Sequence, residues 1–336
     1  MMESDVVVIG AGPAGTTCAF LLKKAGFDCA LVDFASFPRE KVCGGGLTVK
    51  AYELLRELLP DFKYEYRGVR RLKVMIDCKM AADFEPSEEL RIVNRKEFDY
   101  ALLQEYIKNG GRFLQDSFSK FEVLSDGTIL VSLKSGQQIH CRYLVGADGA
   151  NSRVRHQVAG RYDGNMLFLE QYIPKKSDVI EGTVSRKFAA GYYYLFPSVD
   201  HDVVGFGSKY ANVALFREIL AEKGIEETKI RGAHIPTKEV LSDNDHIILI
   251  GDAGGYANKL TFEGLYYAFA TAENAFLAIS KGISFKETNK AILTRKRHER
   301  LWAALFYSGL GRFIARCGCK STHIVRGIFD YGVRGR

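Results

Sequence analysis

The chain has no apolar run long enough to cross a bilayer. Its most apolar stretches, Val6–Ile9, Ile247–Ile250 and Leu301–Leu310, fall far short of the roughly 20 residues a spanning helix needs. It has no Cys-x-x-Cys pair. Its seven cysteines (Cys18, Cys29, Cys43, Cys78, Cys141, Cys317 and Cys319) are odd in number and scattered. That is the pattern of reduced thiols in a cytosolic compartment rather than of a disulfide framework. The seven histidines are dispersed, so no metal site is expected. The acidic start Met1-Met2-Glu3-Ser4-Asp5 lacks the basic region and apolar core of a secretory signal. There are no repeats and no low-complexity tract. What remains is a globular composition: 336 residues, 47% hydrophobic and 26% charged, enough for one large domain or two intertwined ones.

The charge is unevenly placed. From Ala291 to Arg336 there are ten Lys or Arg against Glu299 and Asp330, a surplus of +8. The first 290 residues are therefore close to neutral, since the whole chain carries +7. Trp302, Leu305, Phe306, Phe313, Ile314 and Phe329 interleave with these cations. Two readings fit: a terminal helix packed on the body with its charges in water, or a surface that meets anionic lipid from the inner face of a membrane. The tail matches no nucleic-acid-binding module.

The chain opens with a strand, Asp5–Ile9, then glycines, a helix over Ala14–Lys24 and a second strand at Cys29–Val32. That is a βαβ unit. Gly10-Ala11-Gly12-Pro13-Ala14-Gly15 fits Gly-x-Gly-x-x-Gly in the right context. Gly10 permits the tight turn, Gly12 lets backbone approach a pyrophosphate, and Gly15 lets helix and strand pack. The helix N-terminus, at Pro13 and Ala14, then faces the phosphates. Asp33, 18 residues past Gly15, ends the second strand, where a carboxylate accepts hydrogen bonds from ribose hydroxyls.

Further helices are expected over Val49–Leu59, Glu97–Lys108 and Ala211–Lys223. Strands are expected at Gly68–Met75, Lys79–Phe84, Thr128–Leu133, Gln138–Leu144, Leu167–Ile173, Thr183–Phe188, Gly191–Phe196 and Asp202–Ser208. Asp148, in Gly146-Ala147-Asp148-Gly149, and Asp252, in Gly251-Asp252-Ala253-Gly254, each follow a strand and precede a glycine turn. Asp252 is placed to accept hydrogen bonds from a flavin's ribitol. A helix opening at Gly264 and Leu265 would stabilise negative charge on a reduced ring.

These three segments together resemble the FAD-dependent oxidoreductases of the p-hydroxybenzoate hydroxylase fold. In that family the arginine before the long helix, here Arg95, reaches the flavin nucleotide. Pro38-Arg39-Glu40-Lys41-Val42-Cys43-Gly44-Gly45-Gly46-Leu47 is similar to the Pro-x-x-Lys-x-Cys-Gly-Gly-Gly-Leu segment of geranylgeranyl reductases. Leu260–Ala268 and Tyr192–Pro197 resemble two further segments of that family, with Phe262 in place of a glycine and Tyr194 in place of a tryptophan.

The resemblance implies an α/β fold: a Rossmann-like FAD-binding domain (1–60, 95–160 and 244–285) interleaved with a mainly antiparallel β substrate domain (61–94 and 161–243), then a basic helical C-terminus (286–336). It implies that Lys41, Cys43, Gly44, Gly45 and Gly46 lie near the flavin, with Cys43 also the candidate catalytic residue. Tyr192, Tyr194 and Phe196 alternate onto one strand face and are the candidates for an apolar substrate pocket. The implied reaction is saturation of carbon–carbon double bonds of an isoprenoid-like substrate by reduced FAD. No second glycine fingerprint exists, so electrons come from NAD(P)H docking transiently or from a reduced redox protein. An aromatic monooxygenase and a non-catalytic lipid-binding flavoprotein are the alternatives. A flavin halogenase is disfavoured, because the single tryptophan, Trp302, is not in a Trp-x-Trp-x-Ile-Pro segment.

Overall fold

The computed structural model describes residues 2–77, 79–318 and 322–334. Cys78, Cys319, Lys320 and Arg336 lie outside the described residues. Strand β1 (Met2–Ile9) runs through the glycine loop into α1 (Pro13–Lys24) and back along β2 (Cys29–Asp33). Next come β3 (Gly46–Leu47), α2 (Val49–Leu58), β4 (Arg67–Val69), β5 (Leu72–Ile76), β6 (Lys79–Phe84) and β7 (Leu90–Ile92). Helix α3 (Arg95–Lys108) leads to β8 (Arg112–Gln115), β9 (Phe118–Val123), β10 (Ile129–Leu133), β11 (Gln138–Gly146) and the short α4 (Arg153–Ala159). The middle holds β12 (Asn165–Pro174), β13 (Ile180–Val184), β14 (Gly191–Pro197), β15 (His201–Ser208), α5 (Val213–Glu222) and β16 (Arg231–Pro236). Strand β17 (Ile247–Leu249) precedes α6 (Leu265–Lys281), α7 (Phe285–Thr288), α8 (Lys290–Phe306), α9 (Gly309–Gly318) and α10 (Thr322–Arg334).

The first sheet has the order β8-β2-β1-β11-β10-β9, with β17 also joined to β11. Strand β1 is parallel to both β2 and β11. Strand β11 forks: its first half pairs antiparallel with β10, and its last three residues pair parallel with β17. Val6, Val7 and Val8 are all inaccessible, because both faces of β1 are covered. Val6 and Val8 sit in the core with Cys18 and Leu22 of α1 and Phe269 of α6. Val7 and Ile9 pack in the other layer with Phe121 and Val131. That double burial is why β1 reads as an unbroken apolar run rather than an alternation.

The second sheet has the order β16-β12-β15-β14-β13-β5-β6, antiparallel except at β13–β5. Helix α5 covers one face with Phe216, Ile219 and Leu220 against Tyr193, Val204 and Phe206. The opposite face carries Phe168, Tyr194 and Val203, packed with Phe262. The expected strand over 183–188 is shifted: β13 ends at Val184, where the Ser185 side chain caps a 3₁₀ turn over Arg186–Phe188. Segment 61–94 is divided between sheets. Strands β5 and β6 join the second sheet, while β4 and β7 form a small third sheet with β3.

The C-terminal helices are fastened to the body by their cations. Buried Lys296 donates to the Ala257 carbonyl, and Arg300 pairs with Glu239. On α10 the Gly332 carbonyl accepts from Lys50 Nζ at 3.0 Å, Asp330 accepts the Ser87 N–H at 3.1 Å, and Arg334 pairs with Glu88 at 2.9 Å. Among the described residues no helix is long and apolar enough to cross a membrane.

Candidate functional site

Two long helices meet at the C-terminal edge of the first sheet, each with an uncapped N-terminus. Helix α1 starts at Pro13 after Gly12, and α6 starts at buried Leu265 after Gly264; neither has a side-chain cap. Their first N–H groups are therefore free for an anion or a polar ring edge. Gly10 has φ +106°, and a β-carbon there would sit 2.4 Å from the Ala147 carbonyl oxygen. A β-carbon on Gly12 would meet only the Arg39 guanidinium, at 3.5 Å. Gly12 thus faces open space, with one cation across it. A β-carbon on Gly15 would collide with the Gly10 carbonyl at 1.9 Å, so that glycine sets the helix–loop packing. The loop is a cradle that a pyrophosphate fits.

Asp33 accepts hydrogen bonds from Ala11 N–H at 2.7 Å and from Ala35 N–H at 2.8 Å. One bond per oxygen leaves each with a lone pair for a ribose hydroxyl. Ala14 touches the second glycine turn: a β-carbon on Gly251 would lie 2.8 Å from its methyl. The Gly251 N–H donates to Thr271 Oγ1 at 2.9 Å. Asp252 has no protein hydrogen bond to its carboxylate among the described residues, and its Oδ1 lies 3.5 Å from where a β-carbon on Gly264 would be. A free carboxylate beside the open α6 N-terminus suits a hydroxylated chain. Asp148 is different. Its carboxylate accepts from Ser152 Oγ at 2.5 Å, Arg153 N–H at 2.7 Å and Val154 N–H at 3.3 Å. Burial pushes its pKa up, against those three bonds. It anchors the start of α4, and only its backbone borders the Gly10 turn.

Arg155 was not singled out by the sequence. It is buried, and its guanidinium donates to the Asp252 carbonyl at 2.9 Å, the Ala253 carbonyl at 3.0 Å and the Ala150 carbonyl. It ties the two acid-glycine turns together.

The segment after Asp33 folds over this edge. Arg95, buried at the start of α3, makes a bidentate pair with Asp99 at 2.8 and 2.9 Å, and Arg39 reaches the same carboxylate at 3.3 Å. Arg95 also lies close enough to the Cys43 thiol to interact with it. The Cys43 sulfur accepts from Gly45 N–H at 3.4 Å, the Gly45 carbonyl accepts from Val93 N–H at 3.0 Å, and Gly46 opens β3. Lys41 is half-buried on the same loop.

Against this loop stands a packed cluster of aromatic rings, termed the cage. Tyr192, Tyr194 and Phe196 follow one another along one face of β14, with ring centroids 6.0 and 5.0 Å apart. Phe168 and Phe262 close it, 4.8 Å from each other. Phe196 lies flush on Gly44: a β-carbon there would be 2.2 Å from the ring. Phe262 has φ +56°, a left-handed conformation that costs a residue with a β-carbon about 1–2 kcal/mol. Asn258 holds it there. Its Oδ1 accepts from Leu260 and Thr261 N–H at 2.7 and 2.9 Å, and its carbonyl accepts from Phe262 N–H at 3.0 Å. The Tyr192 hydroxyl donates to the Thr261 carbonyl at 2.6 Å, and Tyr307, between α8 and α9, donates to the Leu260 carbonyl at 2.7 Å.

Beneath the cage is Glu170 of β12, fully inaccessible. Its Oε1 accepts the Cys43 N–H at 3.0 Å, and its Oε2 accepts the Tyr194 hydroxyl at 3.0 Å. Burial pushes its pKa up to about 7; Tyr194, the Cys43 N–H, Arg231 and Lys41 pull the other way. Burial likewise pushes Tyr192 and Tyr194 up. Among the described residues no cluster of three or more His, Cys, Asp or Glu could hold a metal ion.

The parallel sheet, the glycine cradle and the second acid-glycine turn define an FAD-dependent oxidoreductase. Residues 3–174 match the FAD binding domain family. An uncharacterized protein of Methanosarcina barkeri is 30% identical over 316 residues, covering 88% of this chain and 79% of that one. The geranylgeranyl diphosphate reductase of Rhodobacter capsulatus is 27% identical over 311 residues, covering 84% and 77%. A solved geranylgeranyl bacteriochlorophyll reductase-like protein of Thermoplasma acidophilum superposes with a TM-score of 0.81 at 17% identity, over 100% of this chain and 97% of that one. The chain belongs to the geranylgeranyl reductase family of FAD-dependent oxidoreductases.

Proposed function

We propose that the protein saturates carbon–carbon double bonds of an isoprenoid or similarly apolar substrate. The observation that carries this reading is the aromatic cage set against the Cys43–Gly46 loop, with an inaccessible carboxyl beneath it. Reduced FAD supplies the hydride when bound. Gly10, Gly12, Pro13, Ala14 and Gly15 seat the pyrophosphate, and Arg39 faces its charge. Asp33 takes the ribose. Asp252, with Gly251, Gly264 and Leu265, takes the flavin end. Lys41 and Gly44–Gly46 flank the ring, and Arg95, beside the Cys43 thiol, reaches toward the flavin nucleotide. Asp148 contributes by holding the turn.

Saturating one double bond consumes one hydride and one proton. The cage residues present the proton. With a pKa of about 7, Glu170 is close to half protonated at neutral pH. When protonated it donates to the Tyr194 oxygen, which frees the Tyr194 hydroxyl to protonate a carbon in the cage. Tyr194 is refilled from Glu170, so no water need enter among the apolar rings. Phe168, Tyr192, Phe196 and Phe262 exclude water and hold the substrate's hydrocarbon. The reductant is NAD(P)H docking transiently or a reduced redox protein.

The test is anaerobic turnover with a geranylgeranyl-bearing lipid and chemically reduced enzyme, read by mass spectrometry. A gain of two hydrogens per double bond supports the reading. Product that carries oxygen and forms only in air overturns it in favour of a monooxygenase.

A further inference from the structure

The outer surface of the C-terminal helices is apolar where the rest of the tail is tied down. Leu301, Trp302 and Leu305 on α8, and Leu310, Phe313 and Ile314 on α9, are all exposed. Spacings of three and four residues put 301 with 305, and 310 with 313 and 314, on single helix faces. Two residues, Tyr307 and Ser308, join the helices. Single exposed apolar residues are ordinary, but six on two consecutive helices form a surface that something covers.

The charges around it point to the occupant. Lys296, Arg300, Arg326 and Arg334 are engaged with Glu299, Glu239, Asp330 and Glu88. Both acids of the tail, Glu299 and Asp330, therefore already face cations. Arg297 stays exposed beside Leu301. The stretch as a whole has ten cationic residues to two acidic ones. A second copy docking through the same face would bring like charge against like charge. A surface of anionic headgroups over acyl chains matches both the cations and the apolar side chains.

We propose that α8 and α9 dock the protein on an anionic lipid surface by inserting these six side chains. At ten residues, α9 is about 15 Å long, half a bilayer core, so it lies in the plane of the interface rather than across it. Tyr307 connects this surface to the cage, since its hydroxyl is bonded to the loop that carries Phe262. Attachment rests mainly on apolar insertion, because the body already holds much of the tail's charge.

The chain's single tryptophan is Trp302, so its fluorescence reports this surface alone. FAD-loaded protein is mixed at low salt with vesicles of phosphatidylglycerol and phosphatidylcholine, and sedimentation is followed in parallel. The expected result is a blue-shifted Trp302 emission, protection from acrylamide and protein in the vesicle pellet. The double variant Leu310→Glu/Phe313→Glu should weaken binding at least about tenfold with the flavin absorbance unchanged. Arg297→Gln should weaken it only about twofold to fivefold. Protein that stays in the supernatant with unshifted emission overturns the proposal. So does a blue shift without vesicles that grows with protein concentration and vanishes in the double variant, because the occupant is then a second copy.

Discussion

Replacing Glu170 by Gln should remove a pH dependence of stability that the wild type carries. The carboxyl has an ordinary pKa of 4.5 when the chain is unfolded, and burial pushes it up to about 7 in the fold. Between those values the folded state binds a proton that the unfolded state has lost. Its contribution is therefore fully present below 4.5 and is lost as pH rises through 7. Over the whole window the loss is about 3 kcal/mol, and between pH 5.5 and 8 about 2 kcal/mol. For a chain of this length that is roughly 3 °C in melting temperature. Gln preserves the geometry: its carbonyl still accepts from the Cys43 N–H, and its amide donates to Tyr194. The assay is denaturant unfolding of both proteins at several pH values, taken as wild type minus variant so that other titrating groups cancel. The difference should change by about 2 kcal/mol across that range, with the variant favoured at high pH. A flat difference would refute the account of Glu170, and with it the proton reserve under the cage. If the relay operates, Glu170→Gln also slows turnover without loss of FAD, and the alkaline limb near pH 7 disappears from the rate profile.

Gly12→Val places a branched side chain on the open face of the phosphate cradle, and should give colourless protein that fails to retain FAD after desalting. Cys43→Ser should keep FAD bound and the loop intact but change turnover or substrate preference; unchanged kinetics with every accepted substrate would leave Cys43 a packing residue. At Phe262 the usual order of substitutions should invert, because its φ of +56° favours glycine: Phe262→Gly should unfold later than Phe262→Ala, by about 1 kcal/mol, and accept bulkier substrates. Arg155→Met leaves three carbonyls without their shared donor, and should cost about 2–4 kcal/mol and lower FAD affinity, both measurable by titration with free FAD.

What the sequence revealed and what it hid divide along chain distance. The glycine loop, its strand and its helix are legible because the spacing of Gly10, Gly12 and Gly15 is a local pattern between a strand and a helix, although the atom that crowds Gly10 is the distant Ala147 carbonyl. The face shared by Tyr192, Tyr194 and Phe196 follows from strand alternation alone. Glu170 could not be found that way. It sits among apolar strand residues, and its partner Cys43 is 127 residues away. Arg155 acts on carbonyls 97 and 98 residues on, and nothing local marks it apart from its neighbour Arg153. Asp148 resembles Asp252 in the sequence because helix α4, which takes up the Asp148 carboxylate, is only seven residues long and leaves little periodic signal. The tail's surplus charge was visible as a count. That Lys50 and Ser87 would receive α10, across 282 and 243 residues, was not.

The fork in β11 has a consequence for how the chain is made. Its last three residues stay unpaired on one side until β17 emerges, about a hundred residues later, and the α6 layer over β1 arrives later still. During synthesis the nucleotide loop at residues 10–15 is complete within seconds, yet its sheet lacks a strand and a covering helix until the ribosome has passed residue 281. Such late, long-range closure favours slow assembly and leaves apolar strands waiting. With FAD placed as proposed, between the early-made glycine loop and the N-terminus of α6 made about 250 residues later, it would bind only once both are in place and would withdraw that arrangement from the unfolded pool. The cofactor would then act as a latch on folding before it takes part in any reaction, and flavin supply during expression would become a lever on yield.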